Sequence, residues 1–190
     1  SLSWLQSLVK RADILCDIQI ALAIINHPDW NVIASHDGTT KKGYHLQAFQ
    51  IHLNKVLLSL GFDEVEDGTA VASYASFVRR ISQCLETLTD ADQIDEELKK
   101  FLLKVAGSLS DRCPVEIKWA QLLEDDKFEI IQQRYSGLGT AQQKKLAKVY
   151  KFFCMAHCLS GCTEELDKVF KAQRKASAEK FVYKKTAFKA

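Results

Sequence analysis

The chain has 190 residues, 47% of them hydrophobic and 26% charged, with eight glycines and two prolines. That supports one compact core and excludes a collagen-like or disordered chain. No apolar run approaches the roughly 20 residues a membrane-spanning helix needs. The formal charge of +2 conceals a division: residues 168–190 hold eight Lys and Arg and one acid, Glu179, while residues 1–167 hold 18 bases and 23 acids. Charge enters early and no small-residue cleavage site follows, so no secretory leader is expected. Without an initiator Met the sequence reads as a fragment or a processed chain.

In chain order, Leu2 to Ile25 has a helical period, with Leu5, Leu8, Val9, Ala12, Leu15, Ile18 and Leu22 on the expected buried face. Asn26-His27-Pro28 stops it. Trp30 to Ser35 reads as a short buried strand ending at His36-Asp37-Gly38-Thr39-Thr40. Lys41-Lys42-Gly43 forms a turn into an alternating strand from Tyr44 to Leu53. Asn54-Lys55 makes a tight turn into a third strand from Val56 to Phe62. The period turns helical from Gly68 to Leu88, with Val71, Tyr74, Ala75, Val78, Ile81 and Leu85 as the expected stripe. Asp90 to Glu97 is acidic and solvated, a connection that could continue as helix. Phe101 to Leu109 reads as a fourth strand, interrupted by Gly107. Pro114 suits the first turn of a helix running to Arg134. Thr140 is expected to cap the next helix. Val149 to Cys154 is β-prone or extends that helix, and from His157 the pattern is helical and increasingly basic.

This order predicts a mixed α/β fold. A right-handed crossover from the three-stranded meander would lay the fourth strand parallel to the first. Asp37 and Asp111 would then leave the same end of the sheet side by side, where strand-end loops gather ligands. Paired carboxylates bind a proton or a divalent cation, and Mg²⁺ accepts one or two of them with water and phosphate oxygens. The plain structural alternative has Asp37 opening an Asp-Gly turn and Asp111 capping the helix at Pro114.

Three blocks carry a family resemblance. They are Ser35-His36-Asp37-Gly38-Thr39-Thr40 with Gly43-Tyr44-His45 and Leu60-Gly61; Ser110-Asp111; and Phe152-Phe153-Cys154-Met155-Ala156-His157 with its C-x-x-H. Their order and spacing resemble the catalytic core of hAT-like and other transposon-derived transposases over nearly the whole chain. The resemblance implies an RNase H-like core: three antiparallel strands, a crossover helix, a parallel fourth strand and a short fifth, with flanking helices. It implies metal-dependent DNA strand cleavage and transfer by a DDE triad, with Mg²⁺ or Mn²⁺. Asp37 and Asp111 match its first two acidic positions as catalytic and metal carboxylates, while Cys154 and His157 would support the site or contact substrate. The third acid stays open among Glu164, Glu165 and Glu179. As a strand-transferase the chain is expected to be incomplete or inactive.

The six cysteines lie in apolar periodic segments, so reduced thiols are expected rather than a disulfide framework. Cys154, Cys158 and Cys162 recur every four residues with His157 between, which stacks them on one helix face. Zinc is not the expected metal, because structural sites pair ligands from a loop or turn. His27, His36, His45 and His52 lack ligand spacing, and His36 is expected at the surface or a strand end. The tail interleaves aromatics with bases; Lys171, Arg174, Lys175, Lys180, Lys184 and Lys185 are its candidate contacts to DNA. A charged helix face is the plain alternative. The expected organisation is a helical lead-in at 1–29, the core at 30–167 and a basic tail at 168–190 that begins a longer insertion. DNA is the expected partner, with a second copy of the chain a further candidate, no membrane, and a nuclear or cytoplasmic location. The rival readings are a domesticated, non-catalytic DNA- or protein-binding module and an all-helical interaction domain.

Overall fold

The computed structural model describes residues 2–28, 31–41, 43–111, 113–154 and 168–171. Two compact units divide the chain, residues 1–152 and 153–190. Of the second unit, the described part holds the last residue of a strand, Cys154 after it and one helical turn at 168–171.

The first unit begins with helix α1 (Leu2–Asn26), followed by strands β1 (Val32–Lys41), β2 (Tyr44–Leu53) and β3 (Val56–Val65). Helices α2 (Ala70–Leu85) and α3 (Ile94–Lys104) lead to β4 (Val105–Ser110). Then come α4 (Pro114–Arg134), α5 (Thr140–Ala147) and the short β5 (Tyr150–Phe153). The strands form one sheet in the order β3-β2-β1-β4-β5. β1, β2 and β3 are antiparallel neighbours, and β4 runs parallel to β1. The expected α/β class, meander and parallel fourth strand are therefore present, and the five-stranded sheet excludes the all-helical reading.

Two tight turns set the meander. Gly43 (φ 85°) lets Lys41 pair with Tyr44, and Asn54 (φ 58°) lets Leu53 pair with Val56, both in left-handed backbone that Gly and Asn tolerate. A bulge in β3, at Leu60 before Gly61, shifts the register between Phe49 and Gln50.

Several expectations change. β1 does not end at Ser35; its ladder to β2 continues through Asp37 opposite Ala48 to Lys41. Asp37-Gly38 is thus strand, not turn. A Cβ on Gly38 would meet Gln47 Oε1 at 2.6 Å, so glycine serves close cross-strand approach here. Residues 101–104, read as strand, finish α3, whose Phe101, Leu102 and Leu103 are all buried. An apolar run of that length suits either a buried strand or a buried helix end. The crossover consequently contains two helices. Thr140 is the first helical residue of α5, and Gly139 occupies the cap position.

The core lies between one sheet face and α1, α2, α3 and α4, built on Val32, Ala34, Phe49, Ile51, Phe77, Ile81, Phe101 and Trp119. The indole of Trp119 stands edge-on to Phe77 and Tyr74, at centroid distances of 5.2 and 5.5 Å. Tyr74 donates its hydroxyl to Asp126 at 2.6 Å, tying α2 to α4. Of the expected α2 stripe, Tyr74, Ile81 and Leu85 are buried, whereas Val71 and Ala75 face solvent and Phe77 and Cys84 take their place.

The expected buried face of α1 is also different. Leu5, Leu8, Val9, Ala12, Leu15 and Leu22 are exposed, and only the C-terminal turns bury Ile20, Ala21 and Ile24. Those turns are held by Asp17, which pairs with Arg80 on α2, and by Lys104, which donates to the carbonyls of Ile24 and His27.

Candidate functional site

The parallel pairing of β1 and β4 places Ser35 opposite Leu109 and stops there. Extending that register by two residues sets Asp37 level with Asp111, while β1 runs on beside β2. β4 departs into α4 at this point, and a cleft of about 170 Å³ opens beside the uncovered stretch of β1. Gly38, Gln47, Ser73, Asp111, Cys113 and Glu116 are among its walls.

Asp37 is exposed and Asp111 half-buried. Asp111 Oδ1 accepts from the backbone N–H of Cys113 at 3.3 Å, the local turn that delivers the chain to Pro114 at the start of α4. This helix has Cys113 as its N-cap residue, so Asp111 bonds the turn rather than capping the helix itself. Asp111, Cys113 and Glu116 bring one donor atom each within 4.8 Å of one another, without Asp37.

Behind them sits a buried pair. His36 alternates with Val32 and Ala34 toward the core, so it is nearly inaccessible and lies within β1, neither at the surface nor at the strand end as expected. Its ring stacks on Trp119 at 4.1 Å between centroids. Its Nδ1 lies 2.5 Å from Glu116 Oε2 and 3.2 Å from Gln47 Nε2. Glu116 belongs to the first turn of α4 and is buried. Desolvation, with the charges of Asp111 and then Asp37, pushes its pKa up to about 8. Desolvation pulls His36 down to about 3, against the attraction of Asp111. Both shifts favour the neutral forms, a protonated Glu116 beside a neutral His36 whose Nδ1 accepts from the Gln47 amide. Burial also raises the Cys113 thiol, as do Asp111 and the Glu116 carboxylate, against the backbone N–H of Glu116.

Sequence reasoning singled out Asp37 and Asp111, of which Asp111 lines the cleft, and did not single out Glu116, His36, Gln47 or Ser73 as site residues. The signal for His36 was its parity with Val32 and Ala34; Glu116 reads as an ordinary acid in a helix's first turn. Cys154 is half-buried just after β5, and Lys171 lies in the turn at 168–171. His157, Cys158, Cys162, Glu164, Glu165, Arg174, Lys175, Glu179, Lys180, Lys184 and Lys185 lie outside the described residues. Cys16, Cys84 and Cys113 form no disulfide. Among the described residues no helix is long and apolar enough to cross a membrane.

No protein-family model, curated protein or solved structure matches the chain.

Proposed function

We propose that this is an RNase H-like, transposase-derived domain of hAT-like ancestry, in which Asp37 and Asp111 are carboxylates for a divalent metal and DNA is the substrate class. The observation that supports the reading is the parallel β1–β4 pair, whose last partners, Ser35 and Leu109, each lie two residues before an aspartate. The strand order, with three antiparallel strands followed by a parallel fourth and a short fifth, supports the same ancestry. The donor chemistry fits Mg²⁺ or Mn²⁺: one exposed and one half-buried carboxylate leave most of an octahedron to water and phosphate oxygens. Such an ion would supply Lewis-acid stabilisation and nucleophile activation in phosphodiester cleavage. The chain's own contribution is to hold one carboxylate on β1 and the other in the turn that follows β4. His36, stacked on Trp119, keeps the Glu116 side chain fixed behind them.

The test is Mn²⁺ binding followed by paramagnetic broadening of backbone amide signals, alongside duplex-DNA binding at several salt concentrations. Broadening centred on residues 36–39 and 110–113, lost in Asp37→Asn, supports the metal reading. Broadening unchanged in both Asp37→Asn and Asp111→Asn removes it. DNA binding that weakens steeply with salt supports the partner, and its absence at low salt removes it.

A further inference from the structure

We infer that Asp111, Cys113 and Glu116 form a binding site for a thiophilic divalent cation of the zinc type, distinct in donor chemistry from the oxygen-only site proposed above. The inference does not depend on transposase ancestry. It starts from a D-x-C-x-x-E segment that passes from the end of β4 into the first turn of α4. The turn at Asp111 and the helix start at Pro114 bring a thiol and two carboxyls within 4.8 Å of one another. Zinc bonds of about 2.0–2.3 Å put tetrahedral donors roughly 3.3–3.8 Å apart, so small side-chain rotations close this set. Sulfur in the set favours Zn²⁺ over Mg²⁺, whose preference is for oxygen and water.

Two observations outside the cluster point to a ligand. Ser73 Oγ, on α2, is buried, has no hydrogen-bond partner and lines the same cleft as the three donors. A hydroxyl so placed suits the water that completes a three-ligand zinc shell. His36 Nδ1 touches Glu116 Oε2 at 2.5 Å, and Gln47 orients the imidazole in turn. A buried ring so placed limits where the Glu116 carboxyl can go, the kind of outer support that positions a ligating carboxylate. The N-terminus of α4 by itself opposes a cation with about half a charge, which three anionic donors outweigh. Binding displaces the thiol proton of Cys113 and the carboxyl proton of Glu116 to solvent.

The test is a Co²⁺ titration of the full chain under reducing conditions, read by the near-ultraviolet thiolate-to-cobalt charge-transfer band, with Zn²⁺ and Mg²⁺ as competitors. The band appears in the wild type, survives in Asp37→Asn and in the triple variant Cys154→Ser/Cys158→Ser/Cys162→Ser, and is lost in Cys113→Ser. Zn²⁺ displaces it at stoichiometric amounts and excess Mg²⁺ does not. Glu116→Gln, isosteric with the protonated acid, folds without metal and weakens Co²⁺ by at least about a hundredfold; His36→Asn weakens it about tenfold. No band in the wild type, a band that persists in Cys113→Ser, or displacement by Mg²⁺ as readily as by Zn²⁺ overturns the inference. Failure of the Mn²⁺ and DNA tests above leaves the band in place, so the two readings fail separately.

Discussion

The Glu116 carboxyl lies 2.5 Å from the imidazole Nδ1 of His36, with both side chains almost wholly withdrawn from water. Neither residue carries its ordinary charge there. Burial makes the neutral forms the stable ones, so an uncharged acid meets an uncharged imidazole there rather than an ion pair.

The pH dependence of stability follows with a definite sign. The folded state holds the Glu116 proton more tightly than the unfolded chain, so its contribution falls as pH rises from 4.5 through about 8. His36 does the reverse: its contribution is complete above 6.5 and is lost as pH falls toward about 3. Between 4.5 and 6.5 the two slopes offset each other. From pH 6.5 to about 8 only the Glu116 arm remains, and metal-free protein should lose on the order of 1 kcal/mol. Urea unfolding in chelator at pH 6, 7 and 8 measures it, and Glu116→Gln should flatten that decline. A wild type as stable at pH 8 as at pH 6 would mean that Glu116 is ionised throughout.

The sheet's far edge depends on a glycine. A Cβ at Gly107 would lie 2.6 Å from Phe152 Cε2 and 3.0 Å from the Tyr150 carbonyl, so the Phe152 ring must swing aside and β5 must ease away from β4. Gly107→Ala should cost about 1–3 kcal/mol in chemical unfolding and raise amide exchange across residues 150–153 above the rest of the sheet. The sequence showed this glycine as an interruption in an apolar run, and its partner strand explains it.

Helix α1 gives the opposite kind of result. Leu8 and Leu15 are 49% and 61% exposed, whereas Ile24 is 2% exposed. Ile24→Ala should cost about 2–4 kcal/mol, while Leu8→Ser and Leu15→Ser should each stay within about 0.5 kcal/mol. Thermal or urea unfolding of the three variants separates them. The ranking also tells what was legible. A helical period announced α1, but apolar residues nearly all round it could not say which face or which turns would be covered. That was decided by Arg80 and Lys104, which anchor the last turns from α2 and α3 through contacts distant in sequence.

The candidate site was legible to the same partial degree. Asp37 and Asp111 stood out because a meander followed by a parallel strand brings two strand ends together, a consequence of topology alone. Glu116 did not, because its departure from an ordinary first-turn acid depends on burial against His36 and on two other carboxylates reaching it through space.

That dependence gives a direct measure of how the three acids converge. Glu116 is raised first by burial, then by Asp111, then by Asp37. Removing a neighbouring negative charge makes ionisation of Glu116 easier. Asp111→Asn should therefore lower the Glu116 titration midpoint, and Asp37→Asn should lower it by less, with burial keeping it above 4.5 in both. The side-chain carboxyl carbon shift of Glu116, followed by NMR from pH 4 to 10 in chelator, reads the midpoint directly. Equal midpoints in the wild type and in Asp111→Asn would mean that Asp111 lies too far from Glu116 to share an ion with it, and would remove that carboxylate pair from the set formed with Cys113.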